Sequence, residues 1–231
     1  MYCPISILLS IRMMKNFNVM DPDMTPARKI IVIPMLLTAI FFATCGLTTE
    51  REQKILDLYT DQNKDKYAGL LVDVQNYTTS GAEYHTKFYK YLIGIAGDIV
   101  EKKKLSIEKG SVGFYYDKKS GDRSKLYLGL DINTQAYYDQ PYEAVAVNLI
   151  RKNLKDVVQT INSCRSIFSE NEIVGMVLGW KWNAKASREH VSVWIYKDDF
   201  IRYEDGMITF DELVHRSTVT NTIGRVVKLP L

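Results

Sequence analysis

Cysteine and histidine are scarce in this chain, and the local patterns that announce common chemistry are missing. Only Cys3, Cys45 and Cys164 occur in 231 residues, and a chain of this length buries a sizeable core without disulfide staples. The three histidines, His85, His190 and His215, lie at neither metal-ligand nor catalytic spacing from one another. There is no phosphate-cradling glycine loop, no G-x-S-x-G elbow and no H-E-x-x-H pair. Enzymatic activity therefore has no positive sign, and neither a cofactor nor a metal is expected. The one dense basic run, Lys102-Lys103-Lys104, fits the solvated C-terminal end of a helix, where cations complement the dipole. A nucleic-acid partner would want a clustered basic face and is not expected. No repeat of solenoid or propeller period is visible.

What the chain does have is a stretch that reads as an export signal. Arg28 and Lys29 precede the apolar run Ile30 to Ala43, which ends at Thr44-Cys45-Gly46. A basic entry, an apolar stretch of about 14 residues and a small-residue exit are the layout of a secretory signal, and a bilayer-spanning helix needs ~20 residues. The cysteine directly after the run resembles the bacterial lipoprotein signal, with Phe42-Ala43-Thr44-Cys45 standing where that family has its lipobox. The resemblance implies diacylglyceryl attachment at Cys45, which would become the first residue of the mature chain, and anchoring in the cell envelope. Gly46, in the family's common sorting logic, permits passage to the outer membrane. An ordinary signal that leaves Cys45 a thiol and an uncleaved anchor are the competing readings.

Residues 1–23 sit awkwardly before such a signal, and Met24 is the better start. The expected organisation is an over-extended start at 1–23, a signal at 24–44 and one domain at 45–231. Loss of residues 1–44 removes Arg12, Lys15, Arg28 and Lys29 together with Asp21 and Asp23, so 30 basic and 27 acidic residues become 26 and 25. The exported part is nearly neutral. Cys164, beside Ile161 and Phe168 in a helical pattern, reads as a buried structural thiol.

Periodicity outlines an α+β domain. From Thr49 to Tyr77 the apolar residues Ile55, Leu58, Tyr59, Tyr67, Leu70, Leu71, Val74 and Tyr77 keep helical spacing, with a break near 61–66. After Thr79-Ser80-Gly81 the period restarts at Tyr84 and runs to Val100, giving a helical segment 49–104 folded as an N-terminal helix hairpin. Residues 110–216 carry a sheet and helices. Val112 to Tyr116 and Leu126 to Ile132 alternate as one hairpin, and Ile173 to Trp182 and Val191 to Tyr196 as a second. Between them Pro141 opens a long helix that reaches about Ser169. A short strand at 200–203, a short C-terminal helix from Phe210 to about Arg216 and an extended tail at 217–231 complete the chain. The absence of strict strand-helix alternation predicts an antiparallel sheet of four or five strands.

Alternation also predicts what lies on each sheet face. If Leu126, Leu128, Leu130 and Ile132, with Val191, Val193 and Ile195, face the long helix, then Tyr127, Gly129, Ser192, Trp194 and Tyr196 face away. Gly113, Tyr115, Gly175 and Gly179 can join them. Aromatics beside strand glycines make a stacking surface for a sugar, peptide or lipid, or a seat against which the N-terminal helices close. Tyr115, Tyr127, Trp194 and Tyr196 are the candidate contacts. One further pattern, Asp205 to Glu212, reads like the second half of an EF-hand loop. Ile201 and Tyr203 occupy its first and third ligand positions, so a turn followed by a capped helix fits better than a calcium site. The expected function is that of a non-catalytic, lipid-anchored envelope protein acting on another protein or envelope component; the alternative is a carrier that binds a glycan or lipid on the Tyr/Trp/Gly face.

Overall fold

Among the described residues the longest helix follows directly on the longest strand, and this pair sets the topology. In chain order the computed structural model contains α1 (Lys64–Ala68), α2 (Gly81–Lys87), α3 (Tyr89–Glu101), β1 (Gly113–Tyr116), β2 (Leu126–Tyr137), α4 (Tyr142–Asn162), β3 (Ile173–Asn183), β4 (Arg188–Tyr196), α5 (Lys197–Glu204), α6 (Phe210–Arg216) and β5 (Thr218–Asn221). It describes Asp57 and residues 64–231 except Ala186. The upstream segment 1–23, the signal 24–44, Cys45 and most of the helix expected from Thr49 lie outside the described residues.

The fold is α+β, and the sheet is mixed rather than antiparallel. Its five strands run in the order β1-β2-β3-β4-β5, with β2 and β3 parallel and the other pairs antiparallel. The reason lies in α4. Its 21 residues reach about 30 Å at ~1.5 Å per residue, enough to carry the chain back along β2 before β3 begins. A helical crossover of that length joins parallel neighbours. The two hairpins are thus fused through one strand-helix-strand unit.

Other segments depart from the periodicity for local reasons. Of residues 64–77 only Lys64–Ala68 is α-helical, and Leu71 bridges Val112 beside β1. The α-helix α4 stops at Asn162, and residues 165–169 form a separate 3-10 turn. Residues 197–204, expected to include a strand at 200–203, form α5 instead: Asp198 and Asp199 occupy its positive first turn, and Phe200 turns inward to lie 4.9 Å, ring to ring, from Phe168. The tail supplies β5, paired with β4 from Thr218 to Asn221. Cys164 is buried. Of the three lysines after α3, Lys102 pairs with Asp98 and Lys103 with Asp156, so the run ends a helix as expected.

The core lies on one face of the sheet. Phe114, Leu128, Leu130, Met176, Leu178, Trp180, Val193 and Ile195 alternate toward it and meet Leu92, Ile95 and Ile99 of α3, Leu154 and Val158 of α4, and Leu213 of α6. The helices α2 and α3 close on this face, with Tyr84 and Phe88 against the Phe114 ring. They do not seat on the glycine and aromatic face.

Next to β1, Tyr77 connects the sheet to α2. Its hydroxyl accepts from the Phe114 N–H at 3.1 Å and lies 3.2 Å from His85 Nδ1. The hydroxyl proton can go to Nδ1 only if the imidazole is neutral there, and burial pushes the His85 pKa down. The unfolded chain takes up a proton near the ordinary value of about 6.5, the folded chain only at lower pH. Stability that is complete above that value is therefore lost as pH falls toward the folded pKa. Thermal melts across this window should show a decline that His85→Gln flattens.

Candidate functional site

Strand register lays the opposite face out in rungs. Tyr115, Tyr127, Gly175 and Tyr196 form the first, and Gly129, Val177, Trp194 and Thr218 the second. Asp131, Gly179, Ser192 and Thr220 form the third, with Lys181 paired to His190 beyond it. With two residues per step, the face passes from aromatic to polar over three or four rungs.

All four aromatics named from the sequence come together here, and none belongs to the core cluster. Tyr127 stands edge-on to Trp194 with centroids 5.0 Å apart and lies 6.4 Å from Tyr196. Tyr115 donates its hydroxyl to the Ser111 carbonyl at 2.7 Å, and Trp194 Nε1 donates to Thr220 Oγ1 at 3.1 Å. Their exposures differ: Tyr127 is only 8 % exposed, Tyr196 48 %. Tyr115 and Tyr127 form the floor, while Trp194 and Tyr196 offer surface to a ligand. Burial raises the hydroxyl pKa of both floor residues, that of Tyr127 to about 12.

The glycines are seats for these groups. A Cβ on Gly129 would fall 2.5 Å from the Tyr115 ring, and one on Gly179 would fall 2.0 Å from Asp131 Oδ1 and 2.5 Å from His190 Nε2. Removing the side chain lets a large neighbour lie flat across the strand.

The polar rung was not picked out from the sequence, although the alternation that placed Tyr127 and Gly129 outward also places Asp131 there. Asp131 Oδ2 pairs with Lys181 Nζ at 2.8 Å, and Oδ1 lies 3.2 Å from His190 Nε2. Burial works to raise the Asp131 pKa, but the hydrogen bond and charge of His190, with Lys181, outweigh it and hold the carboxyl below its ordinary value. Ser192 Oγ lies 3.3 Å from the same Nε2. A nucleophilic relay needs the acid on one ring nitrogen and the serine on the other. Here both address Nε2, and a nitrogen facing a carboxylate carries the proton, so it has no lone pair with which to activate Ser192. The cluster is a hydrogen-bonding end, extended by Glu108, which holds Arg188 at 2.7 Å and accepts from Asn133 at 2.7 Å.

These rungs floor a cavity of about 520 Å³ with predominantly apolar walls. One side is the loop after β1, residues 117–119; the other is the turn after β5, residues 223–226. The two meet where the Lys119 ammonium donates to the Gly224 carbonyl. Ile223 and Val226 line the cavity and remain 68 % and 65 % exposed. The volume lies within the range of small-molecule sites.

No family model, no curated protein and no solved structure matches the chain.

The remaining chemistry-bearing residues resolve into structure. Glu212, at the bidentate position of the EF-hand-like pattern, accepts from the Thr209 N–H at 2.7 Å, and the Thr209 hydroxyl accepts from the Glu212 N–H, forming a capping box for α6. Gly206 makes the turn before it with φ +71°, a conformation only glycine adopts readily. Among the described residues no group of three or more His, Cys, Asp or Glu is placed to hold a metal.

Proposed function

We propose that this is a non-catalytic, lipid-anchored envelope protein whose α+β body holds a small ligand on its Tyr/Trp/Gly sheet face. The observation that carries the reading is the cavity of about 520 Å³ floored by Tyr115 and Tyr127 and faced by Trp194 and Tyr196. Of the two functions considered from sequence, carriage of a glycan or lipid draws more support from this cavity than docking of a partner protein. Export, acylation at Cys45 and residence at the outer membrane or periplasmic face rest on the signal 24–44 alone.

The cavity reading has a convenient reporter. Trp180 and Trp182 are buried in the core, and Trp194 is the only other tryptophan of the chain. Titration with envelope glycans and lipids should shift the emission of Trp194 saturably, and Trp194→Phe should abolish the response. Emission indifferent to every candidate rejects the carrier. The anchor is tested apart from it by intact mass: an acylated chain beginning at Cys45, lost in Cys45→Ala, is the expected result.

A further inference from the structure

The distribution of polar and apolar groups within the cavity narrows the ligand class, given the reading that the cavity binds a ligand at all. Several polar groups in and beside the third rung are already engaged. Ser111 Oγ donates to the Glu108 carbonyl, Tyr115 to the Ser111 carbonyl, and Thr220 accepts from Trp194. What remains at that end of the cavity is the Asp131 carboxylate, with spare acceptor capacity, and the Ser192 hydroxyl, whose proton Nε2 cannot take; Asp117, Lys118, Thr218, Tyr127 and Tyr196 line the cavity elsewhere. Two such groups satisfy one or two hydroxyls of a head placed at this end, and polar groups laid against the predominantly apolar walls would be desolvated at a cost.

Charge selects further. Asp131 is held ionised by His190 and Lys181, so an anionic head placed at this end would meet a carboxylate of like charge, whereas the lysines of the lining, Lys118 and Lys119, stand on the loop after β1. Lys181 sits on the other oxygen of Asp131 and is already paired.

The apolar side has more surface than a head alone could use. Trp194 and Tyr196 carry it above the floor, and Ile223 and Val226 extend it on the wall, the last two largely exposed to water. Exposed aliphatics beside a cavity are what an apolar chain would cover. The adjoining recess beyond Tyr127 and Tyr196 is lined by Asp122, Asp198 and Asp199 and is no place for such a chain.

We propose that the ligand is a neutral amphiphile: a hydroxyl-bearing head that donates to Asp131 beside Ser192, joined to a single apolar chain that lies over Trp194 and Tyr196 and against Ile223 and Val226.

The test uses the full 231-residue chain, produced without export, with dodecyl maltoside, maltose and dodecanoate as probes below their micelle concentrations. Binding is read by Trp194 emission and by calorimetry. Dodecyl maltoside should bind saturably, with maltose and dodecanoate each weaker by at least about tenfold. Ile223→Ser combined with Val226→Ser should weaken dodecyl maltoside by a similar factor, and Asp131→Asn should narrow the gap between dodecyl maltoside and dodecanoate. Wild-type affinity in the double variant overturns the inference, because the chain then lies elsewhere, including on the apolar segment 30–43. Maltose binding as tightly as its dodecyl glycoside, or dodecanoate binding more tightly, overturns the amphiphile or its neutral head and leaves the cavity reading intact. No response of Trp194 to any probe removes the cavity reading and the inference together.

Discussion

Gly175→Ala should be the most damaging single-methyl addition in the sheet. Gly175 lies in β3 between Tyr127 of β2 and Tyr196 of β4, and an added Cβ would stand 2.2 Å from the Ile195 carbonyl oxygen. That atom is backbone and cannot rotate away, so relief requires β3 and β4 to separate or β3 to twist. The Tyr127 ring, 3.2 Å from the same point, blocks the second side. Overpacking usually costs 1–3 kcal/mol, and a rigid backbone obstacle places this case at about 3 kcal/mol or more. For a domain of this size that corresponds to a melting temperature lower by roughly 6–12 °C. Gly69→Ala is the matched control, since nothing lies within 4 Å of its added Cβ, and its effect should stay within about 0.5 kcal/mol. Equal melting of the two variants would show that the tight packing over β3 does not constrain the fold.

Gly179→Ala should separate binding from folding. Its Cβ would collide with Asp131 Oδ1 and His190 Nε2, both ends of side chains that can swing aside. The sheet survives, but Asp131 loses its contact with His190 and the polar end of the cavity is rebuilt. Loss of a charge-assisted hydrogen bond puts the stability cost at about 1–3 kcal/mol. The larger effect falls on the ligand: with Asp131 displaced, affinity for a hydroxyl-bearing head should fall by at least about tenfold, while contact with Trp194 and Tyr196 persists. Emission of Trp194 during titration distinguishes the outcomes. Unchanged affinity in a folded Gly179→Ala protein would show that Asp131 takes no part in recognition.

Much of this architecture was legible because burial on one face writes itself into sequence period. The alternation Leu126-Leu128-Leu130-Ile132 against Tyr127-Gly129 assigned both faces of β2, and Thr209 with Glu212 lies at capping-box spacing at the start of α6. What was not legible depended on tertiary placement. The direction of β3 is set by the span of α4, which no local pattern in β3 records. The segment 197–204 has too few apolar residues to reveal a period, and Phe200 becomes a helical anchor only through Phe168. β5 is short and its residues are polar on one side, so it resembles a tail until β4 is there to pair with it.

The candidate site divides along the same line. The aromatics were found because bulky residues beside glycines are conspicuous, and strand register then brought Tyr115, Tyr127, Trp194 and Tyr196 to adjoining rungs. Asp131, Lys181, His190 and Ser192 were not assembled. They come from three strands, and each alone reads as a solvated polar residue. Gly179 was the available clue, since a glycine at the centre of a strand marks a close approach by something large.

Binding in the cavity requires that the Tyr/Trp face be open to a ligand, and collisional quenching of tryptophan emission tests that openness most directly. Trp180 and Trp182 are shielded in the core while Trp194 is partly exposed, so a neutral quencher should reach one tryptophan population and leave another protected. Trp194→Phe should remove the accessible population, and dodecyl maltoside should shield it in the wild-type chain. A wild-type protein with no accessible tryptophan would mean that the face is covered, and the cavity could not then serve as the binding site.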